Sequence, residues 1–343
     1  MTTELAEPLA ALLDAVSLAP DRTSATVGDR TLRAATPAAL ERELGSALYE
    51  MFHAGREHRS GPVQLALHDA DLVDALRRGV PHRHVEREVP LAETPERNER
   101  SSSRTRHDGA EPPKRAGDLA LAGAQVLVSL GGVRVRLPAA AVATAPATGT
   151  ARVTLSSCRP ALSPGFFSVL GSREPQPGEP LLRVYAHLST PSAALPAWST
   201  ALDVLERAEA AYRAKILALR SEYPRRDALV IYLGAGSWHA CHDLAAVLHG
   251  LPGIAADTSD FALQLAPGIA AAWEPDDDRP SMRDLSFGQH RATVLAQALI
   301  TTGPGGDAAS VYREAATALR LAQIDPTAPY RNFGSAPLQS PNL

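Results

Sequence analysis

Lysine is nearly absent from this chain. Of its 34 basic residues only Lys114 and Lys215 are lysines, and wherever else a positive charge is needed the chain uses arginine. An arginine keeps its proton in a protein, so almost all the positive charge here is fixed, and only a lysine can shed it when burial or neighbouring cations favour the neutral amine. Cysteine is scarce too: Cys158 and Cys241 are too few for a disulfide framework in 343 residues, which fits a reducing compartment. Aromatic residues make up 5%, so a core has to be built largely from small aliphatic side chains. No stretch reaches the roughly 18 uncharged apolar residues of a membrane span. The acidic N-terminus lacks the basic and apolar segments of a signal peptide. No basic run is interleaved with aromatics, and the net charge is −4. These absences argue against nucleic-acid and membrane partners, and the expectation is a soluble, cytoplasmic protein.

What is present is a 45% hydrophobic chain long enough for one large or two modest domains. Residues 4–18 and 37–55 read as amphipathic helices, the second opened by Thr36-Pro37 and running through Leu40, Leu44, Leu48 and Phe52. A third helix is expected within 63–79. Residues 93–117 contain no large apolar side chain and read as a disordered loop. AQVLVSL and GGVRVRLP read as a hairpin turned by Gly131-Gly132, and ARVTLSSC, PGFFSVLG and LLRVYAHLS as further strands. A helix is expected to open at Ser199 or Thr200, and YRAKILAL either continues it or starts a strand. RRDALVIYL is the clearest buried strand, followed by helices over SWHACHDLAAVLHGL, SFGQHRATVLAQALITTG and about 307–322. Helices first, then strands and helices without a regular alternation, predict an α+β fold: a helical N-terminal part, then a mixed or antiparallel sheet with flanking helices. The organisation expected is a helical region over 1–92, the loop at 93–117, a β-rich connector over 118–160, a main domain over 161–325 and a loose tail over 326–343.

Polar residues cluster in four segments of the C-terminal half. Strand periodicity puts Arg183, Tyr185 and His187 on one face, which is either a site or simply a solvated strand side. Lys215 follows Arg213 by two residues, and is either a reactive amine or a lysine whose stem packs on the core while its head reaches water. Arg225 and Arg226 stand at the mouth of the buried strand, suited to a phosphate or carboxylate, or else to a surface pair with Asp227. Ser286 and Gln289 form a capping-box pattern that places His290 and Arg291 in the first helical turn, where cations oppose the helix dipole unless an anion sits there; the alternative is that both point to solvent. His239 and His242 lie three apart on a helix, but no second cluster completes a metal set. Gly234-Ala235-Gly236 lacks the rest of a dinucleotide-binding pattern. No metal or organic cofactor is therefore invoked, and the inventory suits chemistry on a phosphorylated substrate.

The run from Pro164-Gly165-Phe166-Phe167 through RVYAHLS, AKILALRSEYPRRDALVIYL and SFGQHR resembles the HopA-type effector family over about 160–325. That family was recognised among type III effectors of plant pathogens and also occurs in actinobacterial gene clusters for ribosomally made, modified peptides. The resemblance implies a lyase of class V lanthipeptide or thioamitide biosynthesis. A separate Ser/Thr kinase-like protein phosphorylates a precursor peptide, the lyase eliminates phosphate to leave dehydroalanine or dehydrobutyrine, and a cyclase follows. A more distant likeness to the effector phosphothreonine lyases, at Tyr185-Ala186-His187-Leu188-Ser189, implies a Lys with an Arg about a dozen residues later as base and phosphate clamp. Lys215 and Arg226 have that relation, although the lysine of the strand motif is missing.

On this resemblance Lys215 is expected to be the base and His187 the acid. Arg183, Tyr185, Arg213, Arg225, Arg226, Ser286, Gln289, His290 and Arg291 are expected to bind phosphate and substrate. A non-catalytic phosphopeptide scaffold and a host-directed effector are the alternatives. Chelators are expected to leave elimination intact in an assay on a phosphorylated precursor. Loss of turnover on chelation, restored by zinc, would instead point to His239 and His242.

Overall fold

The computed structural model describes residues 5–56, 68–92, 125–130, 133–144 and 149–338, which form two compact units, one from residues 1–81 and 158–343 and the other from 82–157. In the first unit helix α1 (Glu7–Asp14) leads into a small antiparallel sheet of β1 (Val16–Leu18), β2 (Ser24–Val27) and β3 (Arg30–Arg33). Helix α2 (Pro37–Leu48) starts where its cap predicts: the Thr36 hydroxyl accepts the Ala39 N–H at 3.2 Å, and Pro37 occupies the first turn. A π-helical turn over Tyr49–His53 continues it. Helix α3 (Ala70–Arg78) follows, so only the later part of the helix expected at 63–79 falls on described residues.

The described residues of the second unit are mainly β. Its β4 (His84–Pro90), β5 (Gln125–Leu130), β6 (Val133–Pro138), β7 (Val142–Thr144) and β8 (Thr150–Ser156) make a three-stranded sheet, β4-β8-β7, and a β5-β6 ladder. Val89, Val128 and Val153 are its core. The predicted β5-β6 pairing is present; its Gly131-Gly132 turn and the loop expected over 93–117 lie outside the described residues.

The chain then builds one seven-stranded sheet from β9 (Cys158–Ser163), β10 (Phe166–Leu170), β11 (Leu182–Leu188), β12 (Tyr212–Leu217), β13 (Arg225–Leu233), β14 (Leu263–Ala266) and β15 (Ile269–Trp273). The order is β14-β15-β11-β13-β12-β10-β9, with every named pair antiparallel. Helices α4 (Pro191–Arg207) and α5 (Ala240–Leu248) cover one face, where Trp198, Leu202 and Leu244 share a core with Val184, Ile216, Leu229 and Ile231. Helices α2, α6 (Phe287–Thr302) and α7 (Ala308–Leu321) cover the other, where Leu40, Leu44, Phe287 and Leu295 share a core with Tyr185, Val230 and Ala272. The fold is α+β, a mainly antiparallel sheet between two helical layers. No helix among the described residues is long and apolar enough to cross a membrane.

Three expectations need correction. The stretch 1–92 is not all helix, because β1 to β4 lie in it: their short, mixed runs carry too little period-2 signal. Helix α4 opens at Thr190-Pro191, not at Ser199 or Thr200; Thr190 accepts the Ala193 N–H, while the Ser199 hydroxyl bonds back to the Leu195 carbonyl inside the helix. YRAKILAL is a strand, because β10 and β13 pair with it on both sides.

Gly268 turns β14 into β15 at φ +75°, and a Cβ there would lie 2.0 Å from the Ala255 carbonyl oxygen. Its N–H donates to Ala256 and its carbonyl accepts from His187, which seats the loop before Asp257 against the end of β11. Gly268→Ala is expected to cost at least about 2 kcal/mol in denaturant unfolding, from the left-handed backbone plus the clash; unchanged stability would contradict this packing.

Candidate active site

The sheet register gathers one group of the predicted residues. Arg183 on β11 faces Tyr232 on β13, and Tyr232 faces Arg213 on β12. One step along, Lys215 lies between Ser168 on β10 and Val230. Side chains of Ser168, Arg183, Arg213, Lys215, Tyr232 and Glu274 border a cleft of about 270 Å³, with Leu162 among its apolar walls. The Lys215 ammonium stands 4.5 Å over the Phe166 ring and 5.9 Å from the Tyr232 ring centre. The Arg183 and Arg213 guanidinium groups lie 4.9 and 5.9 Å from the same Tyr232 centre. Three cations thus surround one phenol.

These cations are not equivalent. Arg183 is buried and pairs through two nitrogens with the Glu274 carboxylate. Burial works against its charge, but Tyr185, Tyr232 and Glu274 outweigh it and hold the guanidinium well above its ordinary pKa. Among the described residues, no carboxylate forms an ion pair with Arg213 or Lys215. Arg213 is exposed and Lys215 half-buried, so water can solvate both, and both charges face the cleft. A second cavity, of about 400 Å³, also reaches Glu274; Glu179, Asp276 and Trp273 line it, and among the described residues no cation does.

Arg225 and Arg226 do not line the cleft. Arg225 holds both Asp227 oxygens at 2.7 Å and donates to the Tyr49 hydroxyl at 2.8 Å, and that hydroxyl donates to Asp227 at 3.0 Å. Burial opposes the Asp227 charge, but Arg225 outweighs it and keeps the carboxyl well below its usual range. Arg225 meets the cleft only indirectly, 5.8 Å from the Phe166 ring. Arg226 bonds Asp257 at 2.7 Å and Asp260 at 3.3 Å. Expected as phosphate ligands, both bond carboxylates instead: Arg225 is buried and Asp227 supplies its counter-charge, while the partly exposed Arg226 pairs with Asp257 and Asp260.

His187 joins that last group. Its Nδ1 lies 2.9 Å from an Asp257 oxygen, and its side chain is not among those lining the cleft. His187 therefore does not stand opposite Lys215 in the cleft. Tyr185, also expected to bind substrate, is buried in the α6-side core, edge-on to the His53 ring at 5.2 Å.

Helix α6 begins with the predicted capping box, in which Gln289 accepts the Ser286 N–H at 3.0 Å. Its first turn does not hold free cations, however. His290 and Arg291 are fully buried. Arg291 donates to His290 Nδ1 at 2.9 Å, which leaves Nε2–H to donate to Asp277 at 2.8 Å and makes His290 neutral. Arg291 also donates to the Pro329 carbonyl and to Asn332, whose amide donates to the Glu274 backbone carbonyl. Burial pulls the Arg291 guanidinium down to about 9. The dipole argument fails because this turn is inside the protein. Arg291, through Asn332, ties α6 to the strand end that carries Glu274, while Ser286 and Gln289 cap the helix, and none of Ser286, Gln289, His290 and Arg291 lines the cleft. Among the described residues no three His, Cys, Asp or Glu side chains gather as a metal site.

Sequence reasoning missed Tyr232, Glu274, Ser168 and Phe166. Tyr232 carried one signal: it is the one polar side chain after Asp227 in the run ALVIYL.

An antiparallel sheet between helical layers, with an arginine- and lysine-lined cleft on one face, defines an α+β protein. The chain belongs to the HopA1 effector protein family, whose model matches residues 157–331. It is similar to the solved structures of an effector protein from Pseudomonas syringae pv. tomato strain DC3000 (TM-score 0.37) and one from Pseudomonas syringae pv. syringae strain 61 (TM-score 0.36). Each is 17% identical, over 49% of this chain and 62% of the other, so the chain spans less than two thirds of their length. No curated protein matches it.

Burial pushes His53 and His290 down to about 4. Both are neutral in the folded protein at pH 7, and both gain protons on unfolding once the pH drops below the ordinary histidine value of about 6.5. Stability is therefore expected to be full above pH 6.5 and to fall between pH 6.5 and 4, on the order of 2–3 kcal/mol for each histidine. Urea unfolding across that range checks this; a flat profile would mean that these side chains are not buried neutral.

Proposed function

We propose that this protein eliminates phosphate from phosphoserine or phosphothreonine of a ribosomally made precursor peptide, leaving dehydroalanine or dehydrobutyrine. The observation that carries the reading is the pairing of Lys215 with Arg213 in one cleft, both without a carboxylate partner among the described residues. The phosphate charge supplies what these cations lack. Arg213, with Arg183 behind it, balances the charge on the departing group, and Lys215 as the amine takes the α-proton. Arg183 is already neutralised by Glu274 and serves more as a wall than as a clamp. The chemistry calls for no metal or organic cofactor. The partners in this reading are the phosphorylated precursor, a separate kinase-like protein and a cyclase, in the cytoplasm. A second reading, favoured by the family's description as effectors, is a host-directed effector using the same cleft on a phosphorylated host protein.

Lys215→Arg is expected to abolish elimination and still bind phosphopeptide, because arginine keeps the charge but cannot act as the base. Arg213→Ala is expected to weaken phosphopeptide binding tenfold or more, for loss of a charge-assisted contact of about 1.5–3 kcal/mol. Mass spectrometry of a phosphorylated precursor, watching for loss of phosphoric acid, measures the first, and calorimetry on the Lys215→Arg background the second. Wild-type-like turnover in Lys215→Arg would sink the assignment. Binding without turnover by the wild type would leave a phosphopeptide scaffold.

A further inference from the structure

Elimination of phosphate needs an acid as well as a base, and the residue expected for it, His187, is bound to Asp257 outside the cleft. This inference rests on the lyase reading. Three hydroxyl-bearing side chains border the cleft, those of Ser163, Ser168 and Tyr232. Of the three, the phenol is far the stronger acid, with an ordinary pKa of about 10. Tyr232 also sits at the centre of the charge arrangement, opposite Arg183 on one side and Arg213 on the other, with Lys215 5.9 Å from its ring centre. Its ring is half-buried, and none of the described residues hydrogen-bonds its hydroxyl. Arg213 and Lys215 lie near its ring together with Arg183, whose charge Glu274 balances.

We propose that Tyr232 is the general acid of the reaction, donating its proton to the oxygen that leaves with the phosphate. The Lys215 amine takes the proton from Cα, and the electron pair of that C–H bond becomes the Cα–Cβ double bond. The Cβ–O bond breaks with its pair on oxygen, which takes the Tyr232 proton, so the product is hydrogen phosphate. Lys215 is left as ammonium and Tyr232 as phenolate, and return of one proton from the first to the second, directly or through water, resets the site. Arg183 and Arg213, on the strands flanking the ring, hold the phenol in place, and Arg213 and the newly formed Lys215 ammonium balance its transient charge.

The test compares wild type, Tyr232→Phe and His187→Asn on one phosphoserine peptide, with turnover, affinity and a pH–rate profile measured for each. Tyr232→Phe keeps the ring on which the cations stack and removes the hydroxyl alone. Its kcat is expected to fall about 100-fold, within the range for loss of a general acid, with affinity within about threefold of wild type. The alkaline fall in kcat that marks loss of the acid's proton is expected in the wild type and absent from Tyr232→Phe. Unchanged kcat in Tyr232→Phe overturns the assignment, as does a greater loss in His187→Asn. A fall in affinity matching the fall in kcat overturns it too, since the hydroxyl would then only bind. In all these cases an active wild type leaves the lyase reading standing. A wild type that releases no phosphate removes that reading and this inference with it.

Discussion

Charge inside this protein has to be cancelled inside it, because the seven-stranded sheet is covered by helices on both faces. Every residue of β11 is buried, yet the strand carries Arg183 and His187. Transfer of an unpaired guanidinium out of water is costly, so the buried Arg183 and Arg225 each meet a carboxylate, and the buried Arg291 is held by neutral acceptors instead. Glu274 answers Arg183, Asp227 answers Arg225, and Asp257 sits between His187 and Arg226. These pairings fix how β11, β13 and the loop around Asp257 lie against one another. At the cleft the rule does not apply, because Arg213 is exposed and Lys215 only half-buried.

The same constraint explains why Arg291 at the start of α6 is structural. It has hydrogen-bond acceptors but no bonded carboxylate, and burial lowers its proton affinity. Through Asn332 it reaches the backbone of Glu274 and so braces the carboxylate that neutralises Arg183. A change at this helix end would reach the cleft through that chain of contacts, without either residue touching a substrate.

Much of the architecture was legible in local patterns. Thr36-Pro37 marked a helix start that the structure keeps, and Ser286 with Gln289 marked another. The alternation in RVYAHLS and the apolar run in RRDALVIYL identified the two central strands. Short strands with mixed text, such as β1 to β3 and the nearly all-alanine β15, escaped, because their pairing depends on partners rather than on their own periodicity. YRAKILAL was undecided between helix and strand until its neighbours on both sides were in place.

The candidate site divides along the same line. Composition alone singled out Lys215, since a protein that writes arginine almost everywhere keeps one lysine in its folded C-terminal half. The shared face of Arg183 and Tyr185 followed from a period of two. Which arginines are spent on carboxylates and which face a cleft was not written in any local run, because Glu274 lies 91 residues from Arg183, and Asp257 lies 70 from His187. Tyr232 reads in sequence as a core tyrosine, and only the pairing of three strands puts it between Arg183, Arg213 and Lys215. Sequence sets which side chains carry charge and on which face of a strand they stand; tertiary structure decides which charges cancel, because cancellation depends on distances between residues far apart in the chain.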